Sequence, residues 1–113
     1  MTAHEPPWIL TGLSGGLTGK EFVIERAGVR LGRTPDNDLA VPEGNISRHH
    51  ASFLFREGTL WVKDLGSKNG TFVNEQRVTE SPLHPEDILR LAEFRFRVSR
   101  EAAPDESEER SSP

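Results

Sequence analysis

The 113-residue sequence contains no cysteine. That absence excludes disulfides, thiolate zinc sites and cysteine nucleophiles together. It fits a reducing interior, and the expected location is the cytoplasm. No apolar run approaches the ~18 residues that a membrane helix needs, so no membrane contact is expected. Met1 to Leu10 holds neither a basic residue nor an apolar block and does not read as a secretory signal. No stretch keeps a helical period for three turns, and Pro35, Pro42, Pro82 and Pro85 would interrupt one. A basic excess is missing as well. The formal charge of −4 arises at the end of the chain, where Glu101, Asp105, Glu106, Glu108 and Glu109 face one base, Arg110. Residues 1–100 hold 13 acids and 13 bases. Such a balance argues against bulk nucleic-acid binding, so any anion must be held by a few placed groups.

The length suits one domain, over residues 1–100. From Glu101 on, the chain is charged, Ser-rich and free of large apolar side chains. It cannot bury enough surface to offset the entropy of ordering, so residues 101–113 read as a disordered acidic tail.

What remains reads as strands. Phe94 to Val98 alternates apolar and charged residues at period two, which buries one face and wets the other. Ala51 to Phe55 and Thr59 to Lys63 are short and rich in aromatic and branched residues, with a hairpin-length connection at Arg56-Glu57-Gly58. Trp8 to Thr11, Lys20 to Glu25, Val29 to Leu31, Thr71 to Val73 and Asp87 to Leu91 are further candidates. Trp61, Phe53, Phe55, Phe94 and Phe96 are expected in the core because they follow strand alternation. Many short strands separated by turn signals predict an all-β sandwich or barrel.

Three tempting motifs fail on their context. Gly12-Leu13-Ser14-Gly15-Gly16 spells a nucleophile elbow, which requires a strand-to-helix turn on a large α/β sheet. Thr18-Gly19-Lys20 resembles the end of a nucleotide-binding loop, but its first glycine would fall at Ser14, and Glu21 replaces the hydroxyl residue after the lysine. His49 and His50 are adjacent, and neighbours on an extended strand point to opposite faces, so they chelate poorly. No metal and no cofactor are expected.

Three segments survive: Gly32-Arg33, Ser47-Arg48-His49-His50, and Gly66-Ser67-Lys68-Asn69-Gly70-Thr71. Each lies at the end of a candidate strand, where a sandwich clusters its loops. Arg33 offers a planar fork of donors for two phosphate oxygens. Ser47 offers a hydroxyl, and Arg48 and Lys68 add charge. Asn69 can donate to and accept from a peptide backbone at once. The Asn69-Gly70 pair supplies the positive φ of a tight turn.

In order and approximate spacing, these segments resemble the signature of forkhead-associated (FHA) domains. The spellings Ile46-Ser47-Arg48-His49-His50-Ala51 and Asp64-Leu65-Gly66-Ser67-Lys68-Asn69-Gly70-Thr71 are close to the family pattern, and the resemblance covers about Trp8 to Arg100. It implies a β-sandwich of roughly eleven strands in two twisted sheets, with ligand loops at one end. It also implies phosphothreonine-peptide recognition in Ser/Thr kinase signalling, with a threonine-phosphorylated protein as partner and a kinase upstream. By the same resemblance Arg33 and Ser47 bind the phosphate, Arg48 contacts phosphate or peptide, and Asn69 holds the peptide backbone. Members often carry threonine where this chain has Lys68, whose ammonium suits an anion. Gly32 and His50 are architectural, with His50 bracing the loops from inside. Gly70 and Thr71 support the site.

Two rivals stand beside this reading. One is a small hydrolase using Ser47 and His50, but spacing i, i+3 on an extended chain sets their side chains on opposite faces. The other is a sandwich that scaffolds a larger assembly with its phosphosite unused. The presence of Arg33, Ser47 and Asn69 together counts against it.

Overall fold

The computed structural model describes residues 7–100. The acidic tail expected at 101–113 lies outside the described residues. Eleven strands form two sheets packed face to face. In chain order they are β1 (Trp8–Gly12), β2 (Glu21–Ile24), β3 (Val29–Gly32), β4 (Leu39–Ala40), β5 (Ala51–Arg56) and β6 (Thr59–Asp64). They continue with β7 (Thr71–Val73), β8 (Gln76–Arg77), β9 (Glu80–Pro82), β10 (Ile88–Leu91) and β11 (Phe94–Arg100). The six-stranded sheet runs β2-β1-β11-β10-β7-β8 and the five-stranded sheet β4-β3-β5-β6-β9. This is the all-β sandwich that the alternation predicts.

Period-two patterning fixes which side chains meet between the sheets. On β11, Phe94, Phe96 and Val98 are buried while Arg95 and Arg97 face water. Phe96 packs edge-on against Phe22, with ring centroids 5.8 Å apart. Leu10, Leu89 and Leu91 join it from the six-stranded sheet; Leu31, Phe53, Leu60 and Val62 face them from the other. Burying one such side chain contributes about 1.5–3 kcal/mol.

Trp61 corrects the expected core. Leu60 and Val62 are the inward residues of β6, so Trp61 has the opposite parity and lies half-buried on the outer face. There the Arg56 guanidinium covers its ring at 4.4 Å. Phe55 is only partly buried and packs at the margin of the core.

Turn chemistry sets the register. Arg56 pairs with Thr59, which leaves a two-residue turn at Glu57 and Gly58 with φ of 53° and 79°. Such primed turns match the right-handed twist of a hairpin. The glycine-rich segment after β1 makes a single 3-10 turn, Gly15–Leu17, followed by β2 and not by a helix. Ser14 Oγ there accepts the amide proton of Arg95 at 3.2 Å. Pro82 lies in β9, an edge strand of its sheet, where a missing N–H costs little.

The two sheets present one shared end. The loop after β3, the segment entering β5, the β6–β7 loop and the β10–β11 turn converge there. Three backbone bonds tie them: His50 N–H to Leu31 O at 2.9 Å, Leu65 N–H to His50 O at 2.9 Å, and Ala92 N–H to Gly70 O at 3.1 Å.

Candidate functional site

All three segments singled out in the sequence meet at this end. The Arg33 amide donates to Ser47 O at 3.0 Å, and Arg33 Nε donates to Ile46 O at 3.1 Å. That second bond uses one edge of the guanidinium and leaves the other free to turn outward. Ser47 Oγ accepts the Lys68 amide proton at 3.0 Å, which joins the second segment to the third. Asn69 Nδ2 donates to Asn45 O at 2.9 Å, which ties the third segment to the chain just ahead of Ser47. Arg33, Ser47, Lys68 and Asn69 therefore line one continuous rim. The side chains of Arg48 and Lys68 are exposed and make no hydrogen bond or ion pair among the described residues. Beside the rim lies a shallow depression lined by Ser47, Arg48, His49 and Leu65. Arg48 thus lines a concave surface that also carries the Ser47 hydroxyl, with Arg33 and Lys68 on the adjoining rim.

His50 organises this rim from below. It is fully buried. Its Nδ1 accepts the Ser47 amide proton at 3.1 Å, so the ring proton sits on Nε2, which donates to Gly70 O at 2.9 Å. Burial pushes the imidazole pKa below its ordinary 6.5, against the opposing pulls of the Gly70 carbonyl and the Asp64 charge. The chain from Ser47 to His50 bends and is not extended, contrary to the premise used against a serine–histidine pair. The bend brings the ring under the Ser47 amide, not under its hydroxyl, so Nδ1 is already occupied.

Asp64 is a support that sequence reasoning quoted but gave no role. Its carboxylate accepts from Ser67 Oγ at 2.6 Å, Thr71 Oγ1 at 2.7 Å, Gly66 N–H at 2.9 Å and Ser67 N–H at 3.0 Å. Burial raises its pKa, but the Ser67 and Thr71 hydroxyls and the two amides outweigh burial and hold it below 3.8. Ser67 Oγ accepts in turn from Gly70 N–H at 3.0 Å. The β6–β7 loop is wound around one carboxylate, and Thr71, fully buried, belongs to that support. Gly70 takes φ 92°, which its place in the turn requires.

Asn37, also missed, fastens the other side. It is buried, and its Nδ2 donates to Arg48 O at 2.7 Å and Thr34 O at 2.8 Å. Its Oδ1 faces His49 Nδ1 at 3.0 Å. Gly32 is where β3 passes this loop. A Cβ there would stand 2.0 Å from Arg48 O and 2.7 Å from Asn37 Nδ2. Only glycine permits that approach, and the reason is space, not φ. An asparagine four residues beyond Arg33 was the available signal for Asn37, but nothing local showed that it turns inward.

Among the described residues, no three His, Asp or Glu side chains gather where they could hold a metal ion. None of the described helices is long and apolar enough to cross a membrane. The site is a rim of donors on rigid supports, suited to holding an oxyanion and an adjacent amide.

Comparison with known proteins finds chains of similar sequence and fold. Over 77 residues the chain is 42% identical to the ABC transporter ATP-binding/permease protein Rv1747 of Mycobacterium tuberculosis, covering 68% of this chain and 9% of that protein. It is 35% identical over 82 residues to the glycogen accumulation regulator GarA of Mycolicibacterium smegmatis, covering 73% of this chain and 52% of that one. The chain thus spans about half of GarA and a small part of Rv1747. A solved structure from work on phosphothreonine-dependent FHA domain interactions superposes with a TM-score of 0.77 at 26% identity, covering 86% of this chain and 99% of that one. The family model for the FHA domain matches residues 29–92, the span from β3 to the β10–β11 turn that contains every brace described above, and this chain belongs to the FHA domain family.

Proposed function

We propose that this chain is a phosphothreonine-peptide recognition module that works by charge-assisted hydrogen bonding and does no chemistry on its ligand. The observation that carries the reading is the rim itself: Arg33, Ser47, Lys68 and Asn69 are linked into one surface by hydrogen bonds of 2.9–3.1 Å. Arg33 and Ser47 hold the phosphate. Arg48 and Lys68 supply further positive charge, and Asn69 takes the peptide backbone beside the phosphoresidue. Gly32, His50, Gly70 and Thr71 keep these groups in place. Preformed donors lower the ordering cost of binding. Ser47 and His50 are not a nucleophile and its base in this reading, because the ring nitrogen nearest Ser47 accepts its amide proton.

The partner is a protein phosphorylated on threonine by a Ser/Thr kinase, met in the cytoplasm. The phosphothreonine dependence named for the superposed FHA structure supports this ligand class. The test is a degenerate phosphothreonine peptide library panned on the purified chain, with the unphosphorylated library alongside. Enrichment only in the phosphorylated pool is expected. Equal retention of both pools would leave the scaffold reading, in which the phosphosite is unused.

A further inference from the structure

The outer face of the six-stranded sheet carries four arginines, and their row begins beside the candidate site. Cross-strand register places Arg77 opposite Phe72, Phe72 opposite Arg90, and Arg90 opposite Arg95. Arg97 lies one outward step further along β11. The Arg90 guanidinium sits 3.8 Å from the Phe72 ring centroid, and that of Arg77 approaches the same ring at 5.8 Å from the neighbouring strand. The row starts at the loop that carries Lys68 and Asn69. A Cβ on Gly70 would stand 2.8 Å from the Phe72 ring and 3.2 Å from the Arg77 guanidinium carbon.

The charges on this face are unequally used. Glu75 bridges Arg90 at 3.0 Å and Arg95 at 3.3 Å, and Arg90 also donates to Ala92 O at 2.6 Å. Those two arginines serve the fold in part. Arg77 and Arg97 make no ion pair among the described residues. Residues 1–100 are balanced in acids and bases, so this is a local concentration of charge and not a general excess. A guanidinium laid against an aromatic ring keeps its donors outward at reduced entropy cost.

We propose that this row, headed by Arg77, binds carboxylates that flank the phosphothreonine in the partner, so that the preferred ligand is a phosphothreonine within an acidic segment. The inference rests on the phosphothreonine reading above. Peptide held at Asn69 need cross only Gly70 to reach Arg77 and Arg90. From Arg77 to Arg95 the row crosses three strand spacings of ~4.8 Å, a length that about four extended residues at ~3.3 Å each cover.

The experiment is calorimetric titration of the full chain with four peptides. One has the phosphothreonine in neutral flanks. Two carry glutamates on its N-terminal or its C-terminal side. The last is an unphosphorylated acidic peptide. One acidic flank is expected to tighten binding roughly five- to tenfold at low salt, and ~0.5 M salt should remove that gain. Arg77→Gln should remove most of the gain and leave the neutral-flank peptide unaffected. Equal affinity for neutral and acidic flanks on the parent chain overturns the inference, as does a gain that survives Arg77→Gln combined with Arg97→Gln. Failure of the neutral-flank phosphopeptide to bind would count instead against the phosphothreonine reading. Binding of the acidic peptides that is lost with Arg77 would then keep the arginine row as a carboxylate site. A full chain with Glu101, Asp105, Glu106, Glu108 and Glu109 neutralised to amides completes the set. If that change alone tightens acidic-flank peptides several-fold, the chain's own tail occupies the face and the partner assignment fails.

Discussion

His50 Nε2 lies 2.9 Å from the carbonyl oxygen of Gly70, twenty residues along the chain, and this bond clamps the β6–β7 loop to the segment entering β5. The same ring accepts the Ser47 amide proton, so one buried side chain serves both halves of the rim. His50→Ala removes both bonds and leaves a cavity. An orphaned buried polar group costs about 1–3 kcal/mol, so a loss of about 2–4 kcal/mol is expected. A thermal melt reads it as a drop of roughly 10–20 °C for a domain of this size. An unchanged melting temperature with abolished peptide binding would move His50 into the ligand shell.

His50 and Asp64 both weaken the fold as pH falls, Asp64 in the same range as Asp36, held below 3.8 by the Thr34 hydroxyl, and Asp38, held below it by the Arg30 amide. The folded pKa of His50 is lowered from 6.5, so the unfolded chain binds more protons just below that pH. The contribution of a neutral His50 is present above pH 6.5 and is lost as pH falls toward its folded pKa. Asp64, lowered from 3.8, acts later: its contribution is present above pH 3.8 and is lost as pH falls through its folded pKa. Denaturation measured from pH 8 to pH 3 should therefore show two successive losses. His50→Gln should flatten the first without moving the second, whatever its overall stability. A first loss that persists in His50→Gln would assign it to another group.

Arg33→Ala should remove most phosphopeptide binding and spare the fold. A charge-assisted bond contributes about 1.5–3 kcal/mol, and two to phosphate oxygens make a loss of at least about a hundredfold. The bond to Ile46 O is only partly buried, so the melting temperature should fall by a few degrees at most. Ser47→Ala should weaken binding less, although it also frees the Lys68 amide from its acceptor. Undiminished binding by Arg33→Ala would show that the phosphate sits elsewhere.

Gly32→Ala tests the close packing beneath the rim. The added Cβ would meet a backbone carbonyl, Arg48 O, at 2.0 Å, and a backbone atom cannot swing aside as a side-chain tip can. Overpacking of this kind costs about 1–3 kcal/mol, and the displaced Arg48 segment should also weaken peptide binding. Gly44→Ala is the control, because nothing lies within 4 Å of its position. Equal melting temperatures for the two variants would contradict the contact.

Much of this was legible in the sequence because it follows from local pattern. Eight strands announce themselves by alternation or by branched and aromatic content, from Trp8–Gly12 to Phe94–Arg100. Leu39–Ala40, Gln76–Arg77 and Glu80–Pro82 do not, because two or three residues cannot show a period and their edge positions tolerate polar residues and proline. The rim residues were readable as donors suited to phosphate. Their supports were less so. Asp64 and Asn37 are ordinary turn-forming types, and only the fold shows that both turn inward, Asp64 to gather loop amides and hydroxyls and Asn37 to hold loop carbonyls. Trp61 misled because its strand alternates cleanly but the parity is set by Leu60 and Val62.

Phosphothreonine should be preferred over phosphoserine by about tenfold. Both residues carry the same phosphate, so Arg33, Ser47, Arg48 and Lys68 cannot tell them apart. The difference is one methyl group. The depression beside the rim is lined by three polar residues, Ser47, Arg48 and His49, and by Leu65, which is half-buried and gives it an apolar wall. Burying one carbon against such a wall contributes about 0.8 kcal/mol. The branched side chain of phosphothreonine is also stiffer at χ1 in the free peptide, which lowers the ordering cost on binding by a comparable amount. Together these reach the 1.4 kcal/mol that a tenfold ratio requires. Two titrations with peptides differing only at the phosphoresidue measure the ratio. Leu65→Ala separates the two causes: it should reduce the preference to the few-fold that side-chain stiffness alone supplies. Equal affinities on the parent chain would mean that the surface reads charge alone.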